Sequence, residues 1–156
     1  MNTSSIRLLA AAGAAALVAG LMAAPADAHH SFAMYDQSKK MTLTGKLTRF
    51  IPGANHAQLI FELVGPDGKT MTGEDGKPVV WGVETGPAAQ IARQGVTVKS
   101  FPIGTIMTVT LNPLRDGRNF GALARQGGSI VKCGNALPEG GCTPETGEVF
   151  LADEAD

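Results

Sequence analysis

The chain has 156 residues, with 13 Lys+Arg against 14 Asp+Glu and 44% hydrophobic residues, which is the size of one modest domain. A formal net charge of −1 and an aromatic content of 5% offer neither the basic footprint nor the stacking rings of a nucleic-acid binder. With 20 Gly and 9 Pro, the composition favours a turn-rich β protein over a helical bundle.

The first element in chain order is a secretory leader, Met1 to Ala28. Arg7 supplies a positive start, Leu8 to Ala24 is an uncharged run rich in Ala and Leu, and Pro25 breaks it. Ala26-Asp27-Ala28 is the small-x-small pattern of a cleavage site. The run is short for a membrane span. The mature chain is therefore expected to be exported, periplasmic or secreted, with no membrane attachment after cleavage. Ala24-Pro25-Ala26 offers a second, less favoured cut.

Five strands and one helix follow. Met41 to Phe50 alternates apolar and polar residues, the pattern of a half-buried strand. Gly45 within it marks a bulge or a tight bend. Ala57 to Val64 is the second strand, and Pro66-Asp67-Gly68 and Asp75-Gly76 are turns, with Lys69 to Gly73 a hairpin extension between them. Val79 to Thr85 is the third strand. A short helix is expected next, capped by Thr85, with Pro87 in its first turn and Gly95 after its end. Ala88, Ile91 and Ala92 form its apolar face. Thr105 to Leu111 is the fourth strand and Ala122 to Val131 the fifth, entered through Asp116-Gly117. Three strands, a helix and two strands is the element order of an OB-type barrel. The expected fold is all-β with one short helix, a small OB-like five-stranded antiparallel barrel over residues 29–132.

Residues 133–156 form a third region. Cys133 and Cys142 enclose a segment with three Gly and one Pro. Its ends can meet, and no His follows to complete a metal site, so a disulfide is expected. Charge is divided unevenly: residues 29–132 hold 12 Lys+Arg and 7 Asp+Glu, whereas 133–156 hold 6 Asp+Glu and no base. The acidic end is read as a solvated segment, with docking on the basic body as the alternative.

His29-His30-Ser-Phe-Ala-Met-Tyr-Asp36, the Leu43-Thr-Gly-Lys-Leu47 strand and Pro52-Gly-Ala-Asn-His56 stand in one order. Trp81-Gly-Val-Glu84, Ile91-Ala-Arg-Gln-Gly95 and Asn112-Pro-Leu-Arg-Asp-Gly117 follow. Together they resemble DUF6152, a family of small exported bacterial proteins of unsettled function, over about residues 29–131. The chain departs from the family where an aromatic usually follows Asn-Pro-His, since here Ala57-Gln58 follows His56. Val96 stands where Trp often follows Arg-Gln-Gly. The resemblance implies no chemistry.

The residues themselves offer one cluster. All three histidines lie at His29, His30 and His56. Cleavage after Ala28 would make His29 the first residue, whose α-amine and imidazole can chelate one ion, with His56 adding a third nitrogen. Such a nitrogen-rich, open set suits Cu(II). Cleavage after Ala26 would instead leave Asp27-Ala28-His29, which wraps Cu(II) or Ni(II) without help from His56. Glu84 and Asp116 are not marked as an acid/base pair, and Ser31 lacks an acid partner, so no enzyme is expected. Trp81 and Phe61 read as core. Arg93, Arg115, Arg118 and Arg125 can form a basic rim or a solvated face. Two functions therefore stand open: a periplasmic copper-binding protein, and a metal-free OB-like module for a partner protein or a small anionic ligand.

Overall fold

The computed structural model describes residues 33–124 and 126–151. Arg125 and the expected leader, with His29 and His30, lie outside these residues. Among the described residues the elements are β1 (Met41–Ile51), β2 (Gln58–Leu63), β3 (Val80–Glu84), the short helix α1 (Ala88–Arg93), β4 (Ile106–Pro113), β5 (Phe120–Leu123), β6 (Ile130–Lys132) and β7 (Glu148–Phe150). Hydrogen bonding runs β1-β2-β3-β5-β4, and β4 returns to β1, so five strands close into a barrel.

The barrel is not wholly antiparallel as expected, because β3 and β5 pair in parallel. The reason is parity. Strand direction must reverse at each antiparallel contact, and an odd ring cannot reverse at every one. The other four contacts are antiparallel, so the fifth is forced to be parallel.

β1 pairs with β4 over Met41–Lys46 and with β2 over Gly45–Ile51. It therefore belongs to both halves of the barrel, and Gly45 lies where the two pairings overlap. A Cβ there would lie 2.3 Å from Phe61 Cδ2 and 2.7 Å from the Glu62 carbonyl. Gly45 is thus a close-approach residue. The bulge falls three residues later, where the register shifts between Leu47 and Arg49. That extra residue changes the strand's parity: Leu43, Gly45 and Leu47 turn inward before it, and Phe50 packs against the core after it.

The core is built from Leu47, Leu59, Phe61, Val83, Met107 and Leu111, all with no exposed surface. Helix α1 adds Ile91 to it. The helix differs from expectation at both of these details. Thr85 does not cap it: its hydroxyl bonds the carbonyls of Ala57 and Gly86, at 3.2 and 3.3 Å, and Pro87 takes the cap position. Ala92 is exposed, so six residues present only Ile91 and, in part, Ala88. Gly95, with φ of 89°, ends the helix as expected.

The expected fifth strand is two strands. β5 and β6 both pair with β4, but residues between them leave the ladder. Thr110 marks the break: its carbonyl accepts from Ala124 N–H and its N–H donates to the Ser129 carbonyl, each at 3.1 Å. The intervening stretch loops out through Gly127 and Gly128. The expected hairpin extension is present as bridges Val64–Thr70 and Thr72–Pro78.

The segment after residue 132 is tied to the sheet. Cys133 and Cys142 are bridged, with Cα atoms 5.7 Å apart. The Thr108 hydroxyl donates to the Cys142 carbonyl at 2.7 Å, and Cys142 packs with Val64, Ile106 and Val131. β4 is consequently buried on both faces. β7 then pairs with β6, and Phe150 meets Phe101 edge to face at 5.1 Å. The part of the acidic end that is described adds a strand to the sheet instead of standing free.

Closing a loop of this length contributes about 2.7 kcal/mol through the unfolded chain. Replacing both cysteines by alanine should lower unfolding free energy by about 2–3 kcal/mol. Amide exchange should accelerate across residues 134–150 more than across β1 to β5. A variant as stable as the parent, or with uniform acceleration, would contradict this account of the staple.

Candidate functional site

The site starts from three short pieces of backbone. The β1–β2 loop docks on the β3–α1 junction: Ala57 N–H donates to the Gly86 carbonyl, Thr85 N–H to Ala57, and Ala88 N–H to Gly53, at 2.8–3.1 Å. The segment at Tyr35 is strapped to the end of β4. Asp36 N–H donates to the Pro113 carbonyl at 2.8 Å and Arg115 N–H to Met34 at 2.9 Å, with a bridge between Tyr35 and Leu114. Glu84 is the last residue of β3, paired in register with Gln58 at the start of β2.

These pieces bring together His56, Glu84 and Tyr35. His56 Nδ1 lies 3.2 Å from the Thr85 carbonyl oxygen and 3.4 Å from Glu84 Oε1. A carbonyl oxygen only accepts, so the contact requires the ring proton on Nδ1. In neutral imidazole that leaves the lone pair on Nε2. The His56 side chain keeps 39% of its surface exposed and Glu84 keeps 18%. The Tyr35 hydroxyl faces the Glu84 carboxylate. A line of polar groups therefore runs from Tyr35 through Glu84 to His56.

Tyr35 is the chain's single tyrosine and is 2% exposed. Its hydroxyl is pushed up to about 12, first by burial, then by the charge of Glu84 and by the hydrogen bond to it; the Arg118 guanidinium opposes. On one side the cluster faces a cavity of about 320 Å³ walled by Met34, Tyr35, Glu84, Leu114, Arg118 and Phe120.

His56 is partly exposed and lies in the β1–β2 loop, two residues before β2 and not on the strand, while His29 and His30 lie outside the described residues. Among the described residues no group of three His, Cys, Asp or Glu can hold a metal; His56 and Glu84 are a pair. Asp116 is not Glu84's partner. It accepts from Arg118 Nε at 2.8 Å and from the Arg118 backbone N–H at 3.1 Å, which hold its carboxyl below the usual range. Phe61 is fully buried as expected, whereas Trp81 is only partly buried against the core. Sequence reasoning missed Tyr35 and set Glu84 aside. The available signal was register: pairing the second and third strands antiparallel places the end of one beside His56, just before the start of the other.

The tyrosine offers a direct check. Tyrosinate absorbance should titrate once, near pH 12. In Glu84→Gln the midpoint should fall toward the ordinary value of about 10, with burial holding it above that. Because the native state keeps a proton that the unfolded chain releases, this contribution to stability is complete below about pH 10 and is lost as pH rises through about 12. A native midpoint near 10 would contradict the burial and the nearby Glu84 charge.

No curated protein and no solved structure matches the chain significantly. Residues 16–124, more than half of the chain, match the family of unknown function DUF6152. The expected resemblance is therefore a membership: the chain belongs to the DUF6152 family.

Proposed function

We propose that this protein is exported and binds Cu(II) through its mature N-terminus and His56. The observation that carries the reading is the orientation of His56. Histidines that ligate metals commonly donate the second ring N–H to a carboxylate or backbone carbonyl, which fixes the tautomer and the ring. Here Thr85 and Glu84 hold Nδ1, and the Tyr35 hydroxyl faces Glu84 from the other side. Nε2 is then the donor offered to a ligand.

The donor set fits copper only in part from the described residues, which contribute His56 Nε2, with Glu84 supporting the ring at Nδ1. The remaining nitrogens would be the imidazole and α-amine of His29 after cleavage at Ala28. Chain length permits this. His29 is six residues from Tyr35, so an extended tether reaches at most about 22 Å. Tyr35 itself faces Glu84, the carboxylate beside His56. A tether of that length keeps a second ligand at high effective concentration. The Cys133–Cys142 bridge suits an oxidising compartment, in keeping with export.

A second reading, a metal-free module for a small anion or a partner protein, is favoured by a cleft at Trp81 and Arg118.

Intact-mass analysis of protein exported by a bacterial host should give a chain that begins at His29. Isothermal titration of this tag-free protein with Cu(II) should then show one site. His29→Ala and His56→Ala should each weaken it more than the 10–100-fold expected of Glu84→Gln, which removes a supporting contact. His30→Ala should matter less, because neighbours on an extended chain point to opposite sides. A chain beginning at Asp27 predicts that His56→Ala is silent. Copper affinity no greater than that of a His-His-Ser-Phe peptide would falsify the folded site.

A further inference from the structure

A second cleft, about 460 Å³ in volume, opens beside β3 and the β4–β5 loop. That volume is within the range of small-molecule sites. Its apolar wall is Met41, Trp81, Pro113 and Leu114, and its rim carries Lys39, Arg115 and Arg118. The lining carboxylate, Asp36, is already engaged: it accepts the Ser38 hydroxyl at 2.6 Å and pairs with Lys39 Nζ at 3.3 Å. The rim is therefore net positive above an indole.

The loop holds this arrangement ready. Asp116 takes both the backbone N–H and the Nε of Arg118. A guanidinium has five N–H groups, of which Nε carries one. The two Nη groups remain as a fork, the geometry that matches a carboxylate. The Arg118–Asp116 pair is exposed, 72% and 50% for the two side chains, so little is lost if the guanidinium turns toward a ligand. Leu114 and Arg118 also border the cavity that holds Glu84. An anion is repelled from that side by the Glu84 carboxylate and is favoured on the Trp81 side.

We propose that the Trp81 cleft binds a small flat carboxylic acid, with its unsaturated body against the indole and its carboxylate on Arg118 and Lys39. The site does not depend on copper, and its ligand has the opposite charge.

The chain has one Trp, so its fluorescence reports on this cleft alone. Benzoate, titrated with a metal chelator present, should produce a saturable change. Benzamide, which lacks the charge, and acetate, which lacks the ring, should each bind at least about tenfold more weakly. Arg118→Gln should weaken benzoate by about tenfold or more, and Lys39→Ala, on a different segment, should weaken it in the same direction. His56→Ala should leave it unchanged. Absence of saturation with benzoate, equal binding of benzamide or acetate, or full benzoate affinity in both the Arg118 and Lys39 variants would overturn the proposal. Loss of benzoate binding in His56→Ala would also overturn it, because the two sites would then be one.

Discussion

The barrel depends on β1 being hydrogen-bonded along both edges where it passes Gly45. Gly45 is opposite Leu63 on one side and Met107 on the other, and the Phe61 ring occupies the space of its missing side chain. A Cβ at this point would force either the ring or the β2 backbone away, and well-packed interiors resist such shifts. The second seam has the same construction. Gly82 on β3 pairs with Phe120 on β5, and a Cβ there would lie 2.4 Å from that ring. Each seam thus sets a glycine against a phenylalanine, exchanging local chain entropy for close strand approach.

Closure also explains why the site is where it is. In this ring β2 begins where β3 ends, so the β1–β2 loop and the β3–α1 junction must share one rim. Their backbone groups satisfy one another through Ala57, Thr85 and Gly86. His56 inherits its orientation from that exchange, because the Thr85 carbonyl that receives its Nδ1 belongs to the same junction. Tyr35 reaches the rim by a separate route, strapped to the end of β4. The polar line is consequently assembled from three non-adjacent parts of the chain, each fixed by main-chain bonds.

This division accounts for what the residue pattern revealed. Alternation in Met41–Phe50 and turn chemistry at Asp67-Gly68 and Asp75-Gly76 are local signals, and they located the strands within a few residues. The disulfide needed only two cysteines and a flexible loop. The break in the fifth strand was hidden because Ala122 to Val131 is apolar at both ends, and what divides it is β4, where Thr110 accepts from one residue and donates to another five positions on. The docking of residues 148–150 was hidden similarly: its acidic composition suggested solvent, but Phe150 finds Phe101. Glu84 and Tyr35 were invisible as a pair because no periodicity relates residues 49 positions apart. Only the register of β2 on β3 connects Glu84 to His56.

Arg118 separates two environments of opposite electrical sense. On one side are the Glu84 carboxylate, with His56 beside it, and the buried phenol. On the other are Lys39, Arg115 and the indole of Trp81. The guanidinium is anchored on its own loop by Asp116, and the Leu114 side chain, 7% exposed, forms an apolar divide between the two. The folding constraint that sets β3 between β2 and β5 is what gives one small barrel end two chemically distinct faces.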